Sequence, residues 1–126
     1  MSENIADMTL TIAYVQAVNT ERADRWHNGD MTEWSTLEWC GALCGEAGEL
    51  ANVAKKMRRV ETSAAGNAWS EHPLDEMALQ AEYESELADT FLYLLLCASR
   101  RGINLATAVR KKFNAKSEQM GFPERL

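Results

Sequence analysis

Two pairs of acidic residues set the terms for this chain. Glu46 and Glu49 lie in the stretch Gly45-Glu46-Ala47-Gly48-Glu49-Leu50, and about forty residues on comes Glu86-Leu87-Ala88-Asp89. Each pair is spaced i, i+3, so both of its carboxylates leave one face of a helix. Leu43, Cys44 and Leu50 flank the first pair; Leu87, Phe91 and Leu92 flank the second. Folding gains nothing from like charges beside apolar neighbours, and buried carboxylates are costly unless paired or coordinated. Two solvated acidic faces are the bland arrangement of these residues. The sharper one is a pair of long antiparallel helices that bring Glu46 and Glu49 opposite Glu86 and Asp89 around a divalent cation, because hard cations such as Mg²⁺ take carboxylate oxygen. Di-iron carboxylate bundles use Glu-x-x-His pairs. The two histidines, His27 and His72, fall near helix ends without that spacing, which argues against iron.

Helical periodicity dominates the rest of the chain. Ile12, Val15, Val18 and Ala23 or Trp26 place a first helix at about Thr9 to Trp26, stopped by His27-Asn28-Gly29-Asp30. Ser35-Thr36-Leu37-Glu38 is a capping box that opens a second helix. Leu37, Cys40, Cys44, Leu50 and Val53 continue it to the basic end Lys55-Lys56-Met57-Arg58-Arg59. Gly41, Gly45 and Gly48 lie inside this helix. Each costs about 1 kcal/mol relative to Ala, so the sequence predicts close approach of another helix or of a ligand there. Residues 61–71 read as a loop. A third helix runs from near Pro73 to about Arg101, with Leu79, Leu87, Phe91, Leu94 and Leu95 on its apolar side and Gly102 as its stop. Asn104 caps a fourth helix from Leu105 to about Met120, with Leu105, Ala108, Val109 and Phe113 inward, ended by Gly121-Phe122-Pro123. The expectation is an all-α chain, four-helix-bundle-like, with residues 1–126 forming one domain.

Composition narrows the function. Of 126 residues, 46% are apolar, enough for a core, and the net charge is -6. A sequence-independent nucleic-acid binder needs a basic surface to neutralise phosphates, and here only local basic clusters exist, so no nucleic-acid partner is expected. Phe91 to Ala98, the longest strongly apolar run, is too short to span a bilayer, so no membrane partner is expected either. No basic segment leads into an apolar run at the N-terminus. Cys40, Cys44 and Cys97 lack zinc-site spacing and read as reduced core thiols of a cytoplasmic protein.

Further candidates cluster by type. Tyr93, four residues after Asp89, shares its face and either packs in the core or contacts a sugar or base. Trp34 and Trp69 sit in or beside loops, where an indole can stack on a base; Trp26 and Trp39 read as packing residues. The basic end of the second helix suits the negative end of the helix dipole and equally suits a triphosphate. Arg110, Lys111, Lys112, Asn114 and Lys116 gather on the last helix, and a cation-bound triphosphate needs such donors for its remaining oxygens. Lys112 and Asn114 are the best candidates, Arg125 a weaker third.

These residues resemble the all-α nucleoside triphosphate pyrophosphohydrolases of the MazG-like superfamily. The signature of that group is Glu-x-x-Glu followed, after a spacer, by Glu-x-x-Asp. Here it stands as Glu46-Ala47-Gly48-Glu49 and Glu86-Leu87-Ala88-Asp89, within Ala42 to Ala51 and Glu86 to Leu94. The tail, with Gly102-Ile103-Asn104-Leu105, Lys112-Phe113-Asn114 and Gly121-Phe122-Pro123-Glu124-Arg125-Leu126, is similar to small single-domain members. The resemblance implies the MazG-like fold and hydrolysis of a (deoxy)nucleoside triphosphate to the monophosphate and pyrophosphate, in nucleotide-pool house-cleaning. It implies Mg²⁺, with Mn²⁺ as a substitute, held by Glu46, Glu49, Glu86 and Asp89. It also implies Glu46 or Glu49 as the base, Lys112 and Asn114 against the pyrophosphate, and a homodimer or dimer-of-dimers tetramer. A dimeric dUTPase-like enzyme and a phosphoribosyl-ATP pyrophosphohydrolase share the metal logic. A helical interaction module without activity is the non-enzymatic alternative. The chain departs from the pattern twice. Gly45 stands where many members carry a further Glu, and the Trp of the dCTP-preferring branch falls near Lys56.

Overall fold

The computed structural model describes residues 10–62 and 76–126. Four α-helices account for most of them: α1 (Ile12–Trp26), α2 (Thr36–Thr62), α3 (Glu76–Arg100) and α4 (Leu105–Met120), with a 3₁₀ turn at Met31–Glu33. There is no strand among the described residues. The chain is all-helical, and no helix among the described residues is long and apolar enough to cross a membrane.

Local chemistry sets the helix ends. Thr11, two residues after the predicted start, caps α1 by accepting from the Tyr14 N–H at 3.1 Å. Asp30 caps the 3₁₀ turn by accepting from the Thr32 N–H at 2.8 Å. Asn104 caps α4 by accepting from the Thr107 N–H at 3.2 Å, as the sequence predicts. Gly102 and Gly121 adopt φ of +66° and +70° just beyond α3 and α4, where a residue with a Cβ is strained. The Ile103 and Phe122 N–H groups then reach back to Ala98 and Ser117 carbonyls at 3.0 and 2.8 Å. Helix α2 runs one turn past the basic cluster, to Thr62; Pro73 and the expected start of the third helix lie outside the described residues.

The described residues fall into two compact units, one joining residues 10–36 to Leu95–Leu126 and the other comprising residues 37–62 and 76–94. In the first, α1 packs on α4, and Ala23, Met31, Leu95, Leu96 and Ala98 are buried. Gln16 ties the unit together. Its Nε2 donates to Ser99 Oγ at 3.1 Å and to the Ile103 carbonyl at 2.7 Å, while its Oε1 accepts from the Leu105 N–H at 3.0 Å. Thr20 and Ser99 share a hydroxyl contact at 2.6 Å. The inward face of α1 is therefore polar and small, with Asn19 and Ala23 buried, whereas Val18 and Trp26 of the predicted apolar face are exposed. Trp26, read from sequence as a packing residue, is 72% exposed and carries the Arg22 guanidinium over its ring at 5.3 Å.

The second unit is a helical hairpin. Trp39 packs at a tilt against Tyr93, Glu46 faces Glu86 and Asp89, and Lys56 pairs with Glu82. Positions rise along α2 while their partners fall along α3, so the helices run antiparallel, as expected. Trp39, Val53 and Leu79 are its buried apolar residues. A Cβ built on Gly41, Gly45 or Gly48 meets nothing within 4 Å, so among the described residues no helix makes the close approach that the glycines suggest. Of the thiols, Cys40 and Cys97 are half-buried and Cys44 is exposed, so Cys44 is not a core residue; none of the three is in a disulfide.

Candidate metal centre

The inward face of the hairpin follows from helix geometry. At about 100° per residue, Trp39, Glu46, Val53 and Met57 fall on one stripe of α2, with Glu49 and Lys56 along its edge. On α3 the matching stripe carries Leu79, Glu82, Glu86, Asp89 and Tyr93. The apolar members of both stripes bring the helices together, and the acidic members are carried inward with them.

Glu46, Glu86 and Asp89, all half-buried, each offer a carboxylate oxygen within 4.8 Å of the other two. Glu49 lies at the exposed edge, close enough to act on both Glu46 and Glu86. The Glu46 carboxyl is raised above the ordinary range, first by burial and then by the charges of Glu49 and Asp89. Glu86 is raised for the same reasons in the same order, with Glu82 adding the last push. Glu86 Oε2 is buried with no hydrogen-bond partner. A buried polar oxygen without a partner is uncommon in a folded protein, and a bound cation is one explanation the surrounding carboxylates fit. The donor set consists of oxygen alone, drawn from carboxylates, and so fits a hard divalent cation rather than zinc or iron.

Two side-chain pairs bound the cluster along the hairpin. On one side Tyr93 lies 6.3 Å from Trp39, ring to ring, at 49°; Trp39 is buried, so Tyr93 is partly fixed by packing. On the other side Lys56 Nζ lies 3.5 Å from Glu82 Oε1. Glu82 escaped the sequence reading, although its place four residues before Glu86 puts it on the same face. A cavity of about 470 Å³ lined by Met57, Val60, Met77 and Leu79 opens where α2 ends and α3 begins, and includes none of the four carboxylates.

The other candidates belong to the first unit. Trp34 is 37% exposed, packs edge-on against His27 at 5.0 Å, and accepts from Arg100 Nε through its carbonyl at 2.7 Å. Lys112 is exposed on α4. Asn114 clasps the backbone of Leu126, donating to its carbonyl at 3.3 Å and accepting from its N–H at 2.9 Å. Arg125 donates to the Phe122 and Glu124 carbonyls, both at 2.7 Å. Trp69 lies outside the described residues. Among the described candidates, Glu46, Glu49, Glu86, Asp89 and Tyr93 are thus brought together within one unit. In comparisons with known proteins, no family model, no curated protein and no solved structure matches the chain.

Proposed function

We propose that this chain is a Mg²⁺-dependent pyrophosphohydrolase acting on nucleoside triphosphates, and that Glu46, Glu86 and Asp89 hold the cation. The observation that carries the reading is the partnerless buried oxygen of Glu86 amid three converging carboxylates. The resemblance of the two acidic motifs to the MazG-like superfamily supplies the reaction class. Mn²⁺, with the same preference for oxygen, would serve in place of Mg²⁺.

When bound, the cation would neutralise phosphate oxygens and lower the pKa of a water. Glu49 is the member of the four with room to act as base, since it sits at the exposed rim beside Glu46 and Glu86. In this reading the Glu49 carboxylate takes a proton from the attacking water. The water oxygen bonds to the α-phosphorus, the bond from that phosphorus to the oxygen bridging toward the β-phosphate breaks, and pyrophosphate leaves with the electron pair. Tyr93, one turn beyond Asp89, stands where a sugar or base would lie.

Self-association belongs to the same proposal. Leu87, Phe91 and Leu94 repeat along α3 and are 48%, 38% and 41% exposed. Tyr14, Val18 and Trp26 are also exposed, on α1. An exposed apolar row like that of α3 can mark an interaction surface, and a second copy of the chain would cover it. The same row favours the second reading, a helical interaction module without activity.

One assay separates the two. The chain is incubated with Mg²⁺ and a panel of ribo- and deoxynucleoside triphosphates, and the products are identified. Monophosphate plus pyrophosphate supports the proposal, and the preferred base distinguishes dUTPase-like from broader house-cleaning activity. Absence of Mg²⁺-dependent turnover across the panel defeats it.

A further inference from the structure

We infer that Lys56, held in place by Glu82, anchors the phosphate tail of the ligand at the carboxylate cluster. The inference rests on the proposed metal-dependent reading of that cluster and adds a residue which neither the acidic motifs nor the basic tail supplies. A cation held by carboxylates leaves a polyphosphate with uncompensated oxygens, and positive donors must stand nearby. Lys112, Asn114 and Arg125 belong to the other unit, and Asn114 and Arg125 are engaged with backbone groups near the chain's last residues. The cations within the described part of the hairpin unit are Lys55, Lys56, Arg58 and Arg59.

Helix geometry selects one of these four. Lys56 follows Glu49 by seven residues, two helical turns, so it lies within about 20° of the Glu49 direction and about 10 Å further along the axis. Lys55 and Arg58 point about 120° and 180° away from that direction, and Arg58 pairs with Glu61 at 3.6 Å. Arg59 lies about 80° from Glu49 and further still from Glu46. Lys56 alone of the four reaches across to α3, where Glu82 holds its ammonium at 3.5 Å, one turn before Glu86.

The side chain is neither buried nor loose. Lys56 and Glu82 are 42% and 45% exposed, so the ammonium keeps open donor directions toward solvent while its stem stays on the cluster's face. A chain of phosphates bound at Glu46, Glu86 and Asp89 can extend along the hairpin toward Lys56 within the length of that flexible stem. Glu82 then has two effects of opposite sign. It orients Lys56, and its own charge repels an arriving phosphate.

That opposition makes the test sharp. Mn²⁺ binding is followed by electron paramagnetic resonance, and binding of inorganic tripolyphosphate to the Mn²⁺-loaded chain by calorimetry, which removes any contribution from base or sugar. Lys56→Gln is expected to leave Mn²⁺ affinity within about twofold and to weaken tripolyphosphate about tenfold, the scale of one charge-assisted hydrogen bond. Lys56→Arg should restore most of that binding, and Lys55→Gln should change neither measurement. Glu82→Gln should leave tripolyphosphate affinity unchanged or tighter. If Lys56 and Glu82 form only a strut between helices, Lys56→Gln and Glu82→Gln will lower the melting temperature alike and leave tripolyphosphate affinity at the parent value, which overturns the inference. Failure of the parent chain to take up Mn²⁺ overturns the metal reading and this inference with it, whereas normal Mn²⁺ uptake with unaltered tripolyphosphate binding by Lys56→Gln removes the anchor alone.

Discussion

Glu46 on α2 and Glu86 on α3 present carboxylate oxygens within 4.8 Å of each other across the hairpin, and both hold their protons more tightly than carboxyls ordinarily do. A carboxyl with a raised folded-state pKa binds more protons folded than unfolded, so its contribution to stability is complete below the ordinary carboxylate range, about 4.3 for Glu, and is lost as pH rises through the raised value. Asp30 works in the opposite sense. The Thr32 side chain, then the Thr32 backbone, hold its carboxyl low, so its contribution is present above the ordinary range and lost in acid. Comparison with Glu46→Gln and Glu86→Gln isolates the cluster. In chelator, both variants should melt higher than the parent near neutral pH, with the gap closing toward about pH 4, where Glu46 and Glu86 of the parent are themselves largely protonated. Melting curves at several pH values decide it; a gap independent of pH would mean that the four charges do not strain the hairpin.

Metal should reverse that ranking. A cation that binds only the folded chain stabilises it by about 2.7 kcal/mol at a hundredfold excess over its dissociation constant. The parent is expected to melt higher in Mg²⁺ or Mn²⁺ than in chelator, while Glu46→Gln and Asp89→Asn lose the shift and all turnover with helicity intact. Glu49→Gln should keep much of the shift, because Glu49 sits outside the group of three mutually close oxygens, yet lose turnover by a factor of about 10² or more as the base is removed. Thermal shift beside the nucleotide assay reads both quantities. Equal loss of the metal response in all three variants would remove the separate role given to Glu49.

The parts of this architecture that were legible in sequence are those governed by near neighbours. Asn104 and Gly102 act on groups within a few residues, and the i, i+3 carboxylates share a face by helix geometry alone. Helix α1 shows the limit of such reading. Its apolar period leaves Ala23 and Trp26 as alternatives and includes Val18; Ala23 is buried, but Val18 and Trp26 are exposed, and the buried side also carries Asn19, with Gln16 half-buried beside it. Gln16 and Thr20 find their partners at Ser99, Ile103 and Leu105, groups far along the chain that no local period reports. Asn114 is a similar case, since the same amide that suits a phosphate contact closes on the Leu126 backbone. The pairing of Lys56 with Glu82 also went unread, because a basic cluster ending a helix already has a local explanation in the helix dipole.

The outward row on α3 gives the proposed self-association its own test. Leu87, Phe91 and Leu94 are already more than half buried, so each recovers less than half of the roughly 1.5–3 kcal/mol that full burial of such a side chain gives if a second copy covers it. The parent is expected to sediment as a dimer or larger assembly, and Phe91→Glu, which places a charge at the centre of the row, should shift it to the single chain. Sedimentation velocity across a concentration series reads the change. A parent that stays a single chain at all concentrations removes self-association from the proposal.

Gly41, Gly45 and Gly48 carry the last prediction, because their cost has no return within this chain. A methyl group added at any of them meets nothing within 4 Å, and none adopts a positive φ. Replacing each by Ala should therefore stabilise α2 by about 0.5–1 kcal/mol through lower backbone entropy in the unfolded state. For the isolated chain in chelator, a rise in melting temperature is the expected outcome, readable in a dilution where assembly is absent. If the same variants fail to turn over nucleotide, or fail to assemble, while melting higher, the glycines are open because a ligand or a second copy lies against them. If they melt higher and retain both properties, the three glycines serve neither purpose, and the closest approach on this face is to water.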